Sequence, residues 1–253
     1  MSKFQNAIDN INIDFKEENL PSFHTTSVMN FKNIASKNLL QGKVVYPMKD
    51  KGVFLFYGKP SYNIDNAKAT DMDTFPICLI LNSSRYNMIG AFPFDSGRFP
   101  YYYILTEKYD IFDFELTKNT KNFDKIIQLL YPDGMSYYED RMLNNPSIGK
   151  DEEILFDFIR HVINRKVPDG IYDLRSRTIE AVIEDQSTLS EGLIAMIIPS
   201  SIKYEPSGHP LNQLLRSSKA KVIYYDEMGL PPNTMRNNIM IAAKSYLSEV
   251  GLL

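Results

Sequence analysis

The sequence predicts an α+β protein built on a mixed sheet, and three observations carry that reading. Short apolar runs with strand character cluster towards both ends of the chain. Segments with a 3.6-residue apolar period lie between them and after them. Neither GxGxxG nor GxxxxGK followed by Ser or Thr occurs, so dinucleotide folds of the usual kind and P-loop folds have no support. Strands grouped at two ends with helices between them suit an α+β arrangement.

The elements follow in order. Residues 1–20 are polar and mixed and read as an N-terminal extension that holds a short helix ending before Pro21. Phe23-His-Thr-Thr26 is a short strand. Ser27 then caps a helix whose apolar face is Val28, Phe31, Ile34, Ala35 and Leu39. Val53–Tyr57 is a second strand, closed by Gly58 and Pro60, and Phe75–Leu81 is a third. A polar stretch and a turn-rich loop over 90–100 follow. Phe123, Ile126, Ile127 and Leu130 mark a helix over 121–130, ended by Pro132-Asp-Gly134. Ile154, Leu155, Phe158, Ile159 and Val162 mark another. Strands return at Thr178–Ile183, Leu193–Ile198 and Lys221–Tyr225, before a final helix over 233–250. With no internal repeat and no long linker, the chain reads as one domain over 1–253, with its core over 21–225.

Composition narrows the function classes. Of 253 residues, 43% are hydrophobic and 23% charged, as in ordinary globular proteins. Lys+Arg 28 against Asp+Glu 31 leaves a net charge of −3, which argues against a strongly basic nucleic-acid binder but not against a local basic groove. The single Cys78 lies in an apolar run, which predicts a buried small hydrophobe and a reducing compartment. The start of the chain lacks the basic and apolar regions of a signal peptide, and no apolar segment nears the roughly 20 residues needed to span a bilayer. The expectation is a soluble cytoplasmic protein without membrane partners. Its 16 Tyr and 15 Phe, with no Trp, fit a compositionally drifted core, but a Tyr-rich chain also suits a ligand pocket.

His24, His161 and His209 are far apart and lack metal-ligand spacing, so no metal is expected. No GxSxG elbow is present. Three segments carry more. Phe23-His24-Thr25-Thr26-Ser27 delivers a histidine just before a helix. Phe54-Leu-Phe-Tyr57-Gly-Lys59-Pro-Ser61-Tyr62 ends a strand in aromatic and turn residues. Arg175-Ser-Arg-Thr178-Ile-Glu180-Ala-Val-Ile183 places a lone acid in a strand-like run. Singly, each has an ordinary reading: a strand-end histidine with its hydrogen bonds met, a core tyrosine, an acid on a solvated face.

Together these segments resemble the ADP-ribosyltransferase superfamily in its histidine–tyrosine–glutamate branch, and loosely its DarT-type members. The matches are islands within roughly residues 20–200, with 33 residues from His24 to Tyr57 and 123 from Tyr57 to Glu180. The resemblance implies a split mixed or antiparallel sheet whose strands deliver the three residues to one NAD cleft. It implies an enzyme that cleaves the nicotinamide–ribose bond of NAD and transfers ADP-ribose to a macromolecular acceptor, nucleic acid or protein. A toxin or phage-conflict role goes with it.

In that reading Glu180 is the catalytic acid, holding a ribose hydroxyl and favouring an oxocarbenium-like state. His24 and Thr26 contact the cofactor on its adenosine side, and Tyr57 stacks on nicotinamide. Ser61 and Tyr62 complete the cofactor contacts. Glu184 has the parity of Glu180 and is the alternative acid. Two departures leave the acceptor open: Thr178 stands where arginine-directed branches carry Gln or Glu, and Lys59 where DarT-like proteins tend to carry arginine. The alternative reading is a non-catalytic module that binds a nucleotide or peptide.

Of the remaining features, Ala91–Pro100 reads as a surface Ω-loop with Arg98 as a candidate phosphate contact. Tyr101–Tyr103 and Tyr137–Tyr138 read as packing residues, and Arg175 and Arg177 as structural or rim residues.

Overall fold

A strand buried within a sheet satisfies its backbone groups through neighbours on both edges, and β1 (Ser22–Ser27) finds them at the centre of an eight-stranded sheet. The computed structural model describes residues 1–11, 16–44, 51–61, 71–143, 152–164, 174–204, 214, 218–227 and 229–253. β1 is flanked by β4 (Lys51–Tyr57) and β5 (Pro76–Leu81). Beyond β4 lie β7 (Glu180–Glu184) and β6 (Met88–Phe92). Beyond β5 lie β9 (Leu193–Pro199) and β10 (Lys221–Tyr225). Only the β9–β10 pair is parallel among the described strands, so the protein is α+β with a mixed sheet. The short β3 (Lys43–Val44) also pairs with β4, while β2 (Leu39–Leu40) and β8 (Ser187–Thr188) form a separate ribbon.

The β1 edges are unequal. Six residues pair with β5, from Ser22↔Leu81 to Ser27↔Pro76. Only Ser22↔Tyr57 and Phe23↔Phe56 pair with β4. After Phe23 the two strands part, and β3 takes up the far end of β4 through Lys43↔Gly52 and Val44↔Lys51. The sheet is therefore forked between β1 and β4.

Period-2 alternation sorts the side chains to two faces. Phe23, Cys78, Ile80, Ala195, Ile197 and Tyr225 face α8 (Pro232–Glu249), which covers them with Met235, Ile239, Ala243 and Leu247. Val53, Leu55, Tyr57, Ile77, Leu79, Ala181 and Ile183 join the larger core on the other face. That core takes in α2 (Val28–Lys37), α4 (Thr120–Leu130) and α6 (Glu153–Asn164) through Phe31, Phe123 and Phe158. The 3.6-residue stripes of these helices are what the sequence shows, and their caps set their ends. Ser27 accepts from Asn30 N at the start of α2, and Asn38, at φ 53°, closes it in the left-handed region.

One region refines the sequence reading and one departs from it. The short helix expected before Pro21 forms as α1 (Lys3–Asn10), ending well short of that proline. Ser2 caps it, and Phe4 sits edge-on to Phe158 with centroids 5.0 Å apart. Residues 88–92, placed in a polar stretch and the start of a loop, form the edge strand β6, in a register that shifts between Met88 and Gly90. That bulge breaks the alternation which would have marked the strand. No helix among the described residues is long and apolar enough to cross a membrane.

Because Phe4 has no exposed surface, α1 is part of the core and not an appendage. Phe4→Ala is expected to lower unfolding free energy by about 3–5 kcal/mol, read from the urea midpoint. A change below 0.5 kcal/mol would return residues 1–10 to the status of an extension.

Candidate functional site

The fork makes the site. His24, Thr25 and Thr26 on β1 face Gly52, Val53 and Phe54 on β4 across a groove of about 350 Å³. Asn30, Asn33 and Ile34 of α2 and Gln41 and Lys43 close it. His24 Nδ1 lies 3.0 Å from Phe54 O. A carbonyl only accepts, so Nδ1 carries the proton and donates. Burial holds the imidazole below its usual pKa, and the backbone bond offsets this in part. The neutral ring therefore keeps Nε2 as an acceptor. Thr26, two residues on, shares the face of His24 and lines the same groove.

Tyr57 lies elsewhere. Its side chain is fully buried, with Phe123 edge-on at 5.1 Å. The phenol donates to Asp124 Oδ1 at 2.8 Å and accepts from Leu20 N at 3.0 Å. Burial first, then the Asp124 carboxylate, pushes its pKa far above the ordinary tyrosine value. The expected stacking on nicotinamide is not available to this ring, because Leu20, Phe123 and Asp124 occupy its surroundings. The residue that shares the Glu180 side is Phe56, the Cα partner of Glu180 and only half-buried.

Glu180 opens β7 and is 1% exposed. Ser96 Oγ donates to Oε1 at 2.5 Å, and Ser96 N approaches the same oxygen at 3.3 Å. Burial, followed by the charge of Asp95, raises the carboxyl well above the ordinary range, against the pull of the Ser96 bonds. The segment read as a surface Ω-loop is thus a cover: Asp95 and Ser96 close over the acid. Glu184, on the same strand face, is exposed and accepts from Asn87 Nδ2 at 2.5 Å.

Register places these residues relative to one another. Glu180 pairs with Phe56 and Phe56 with Phe23, so Glu180 and Phe23 share a face and His24 lies on the opposite one. The structure brings His24, Tyr57 and Glu180 onto three neighbouring strands, but not onto one surface. Ser61 is buried, and its Oγ has no hydrogen-bond partner among the described residues. Tyr62 and His209 lie outside the described residues.

Sequence reasoning missed a polar cluster at the end of β4. Lys59 is wholly buried, donates to Tyr137 O at 2.9 Å, and stands 3.7 Å from Asp140 Oδ1. Arg177 Nη1 reaches Asp140 Oδ2 at 2.8 Å, and Tyr131 donates to Oδ1 at 3.1 Å. Tyr137, on α5 (Gly134–Tyr138), donates to Tyr57 O at 2.8 Å and accepts from Ile179 N at 3.2 Å. Arg177 is therefore structural, as read. The Lys-Pro-Ser turn was visible in sequence, but Asp140, 81 residues from Lys59, had no local signal. Cys78 is buried and its thiol is pushed up to about 12, so it behaves as a core residue. Tyr102 and Tyr137–Tyr138 are buried as well, whereas Tyr101 and Tyr103 are exposed. No protein-family model and no curated protein matches the chain.

Two expectations follow from this geometry. Tyr57→Phe leaves Leu20 N–H and Asp124 short of a partner, at an expected cost of about 1–3 kcal/mol in the urea midpoint. Ligand binding at the His24 groove should be unchanged, which isothermal calorimetry checks. Burial brings Lys59 down to about 8, against the positive offset from Asp140. Between about pH 8 and the ordinary lysine value the unfolded chain holds this proton and the folded chain does not, so stability gains a component that rises with pH there. Lys59→Met should remove that component, seen as a flatter difference in urea midpoints between about pH 8 and about pH 10. Equal slopes in the two proteins would show that Lys59 does not titrate in this window.

Proposed function

We propose that the chain is an NAD-consuming ADP-ribosyltransferase-like enzyme that transfers ADP-ribose to a macromolecular acceptor, nucleic acid or protein. One observation carries the reading: β1, β4 and β7, the strands that bear His24, Tyr57 and Glu180, lie side by side, and the sheet parts between the first two at His24. The fork opens within two residues of the Phe56–Glu180 pair, which puts the His24 groove next to the strand segment that carries the acid.

The roles follow from chemistry. His24 Nε2 accepts a ribose hydroxyl, and Thr26 adds a hydroxyl contact beside it. Nicotinamide lies against an aromatic ring on the Glu180 side, which makes Phe56 the platform in place of Tyr57. The carboxylate of Glu180 holds a ribose hydroxyl while the C–N glycosidic bond breaks. The bonding pair leaves with nicotinamide, and the acceptor nucleophile attacks the ribose carbon and loses its proton. A carboxylate so placed favours the positive charge that develops on the ribose.

A second reading has its own support. Glu180 is covered and faces away from His24, so the groove also suits a module that binds a nucleotide without cleaving it. Nicotinamide release from NAD by purified protein, with and without cell extract, separates the two. The transferase predicts release that Glu180→Gln lowers by about 10²–10³-fold while NAD affinity at the groove persists. Glu184→Ala should leave the rate unchanged. The binding module predicts no release, and NAD affinity that is lost in His24→Ala and kept in Glu180→Gln.

A further inference from the structure

We infer that the segment Asp95–Arg98 is a gate over Glu180, latched by Ser96, and that the acid works only when this gate lifts. The inference rests on the transferase reading of Glu180. Its observations are geometric. Glu180 is 1% exposed and Ser96 has no exposed surface, so a ribose hydroxyl has no path to the carboxyl in the closed form. Both described hydrogen bonds to the acid come from Ser96, through its hydroxyl and its amide, and both end on Oε1.

The gate has its own hinge posts and its own fastening. Phe94 and Phe99 stack 5.8 Å apart at an 8° angle, and Tyr102 meets Phe94 edge-on at 5.3 Å. These buried rings anchor both ends of the segment in the core, leaving the four residues between them to move. Asp95 ties that span down from the other side. Its amide donates to Arg175 O at 2.9 Å, and its carboxylate lies 3.7 Å from Arg175 Nη1. It also accepts from Gly97 N at 3.0 Å, which keeps the turn tight.

Electrostatics favours a two-position element. In the closed form Glu180 is desolvated and beside Asp95, both of which favour its protonated state. Lifting the segment removes Asp95 and readmits water, so access to the acid and its ionisation arrive together. The closed form thus withholds a carboxylate that would otherwise hydrolyse NAD without an acceptor.

The test combines nicotinamide release with hydrogen–deuterium exchange over residues 93–101 in the full chain. Ser96→Ala removes one hydrogen bond to the acid and should speed nicotinamide release about tenfold, with faster exchange across the segment. Arg175→Gln removes the ion pair to the Asp95 carboxylate while the backbone bond stays, and should shift both readouts in the same direction, which covers the case in which Ser96→Ala fails to fold. A rate that is unchanged or lower in these variants, while Glu180→Gln lowers release by about 10²–10³-fold, overturns the gate and leaves the transferase reading intact. Absence of release from the wild type and every variant, with exchange still raised, overturns the transferase reading and the gate with it.

Discussion

The hydroxyl of Tyr137 is the contact on which the site depends. It donates to the carbonyl of Tyr57 and accepts from the amide of Ile179, and so joins the end of β4 to the start of β7 in the interior. The backbone bond from Tyr57 N to Ile179 O, at 2.8 Å, runs beside it. Together they fix where β7 begins, and the first residue of β7 is Glu180. Gly58, at φ +77°, lets the chain turn away directly afterwards, and a Cβ there would meet the Tyr137 ring at 2.6 Å. A larger residue would displace the ring that sets this register.

The same region concentrates buried polarity. Tyr57 spans Asp124 and Leu20 N, while Lys59 spans Tyr137 O and Asp140, and Arg177 completes the second set. Each group is partnered, so a lysine and an aspartate can sit in the interior without isolated charge. Such networks specify one arrangement of the elements that supply them. Here those elements are β4, α4, α5 and the residues leading into β7, which also frame the forked sheet. The cover over Glu180 is built differently, from two stacked rings, a third set edge-on and a handful of hydrogen bonds, so it has local freedom that the register does not.

Much of the architecture was legible because it follows from short-range periodicity. The apolar stripe of α2 after its Ser27 cap, the all-apolar run of β5 and the stripes of α4 and α6 each need only a dozen residues to show. β6 was illegible because Gly90 and a bulge interrupt its alternation. A short helix before Pro21 was legible, but its place in the core was not, because only the rings of Phe114 and Phe158 show what Phe4 packs against. The order His24, Tyr57, Glu180 could be read along the chain. Their facing could not, since one residue of register between β1 and β4 reverses every side chain.

The sequence by itself determined most of the long strands and helices, since hydrophobic period and capping residues act within a few positions of one another. It also determined that a lone histidine precedes a helix and that a lone acid lies within a late strand-like run. Only the tertiary structure decided what those side chains meet. Tyr57 became a core residue because Asp124, 67 positions away, receives its hydroxyl. Glu180 became a covered acid because Ser96, 84 positions away, closes over it. Burial and partnership at such separations depend on how the strands are ordered in the sheet, and no local pattern records that order.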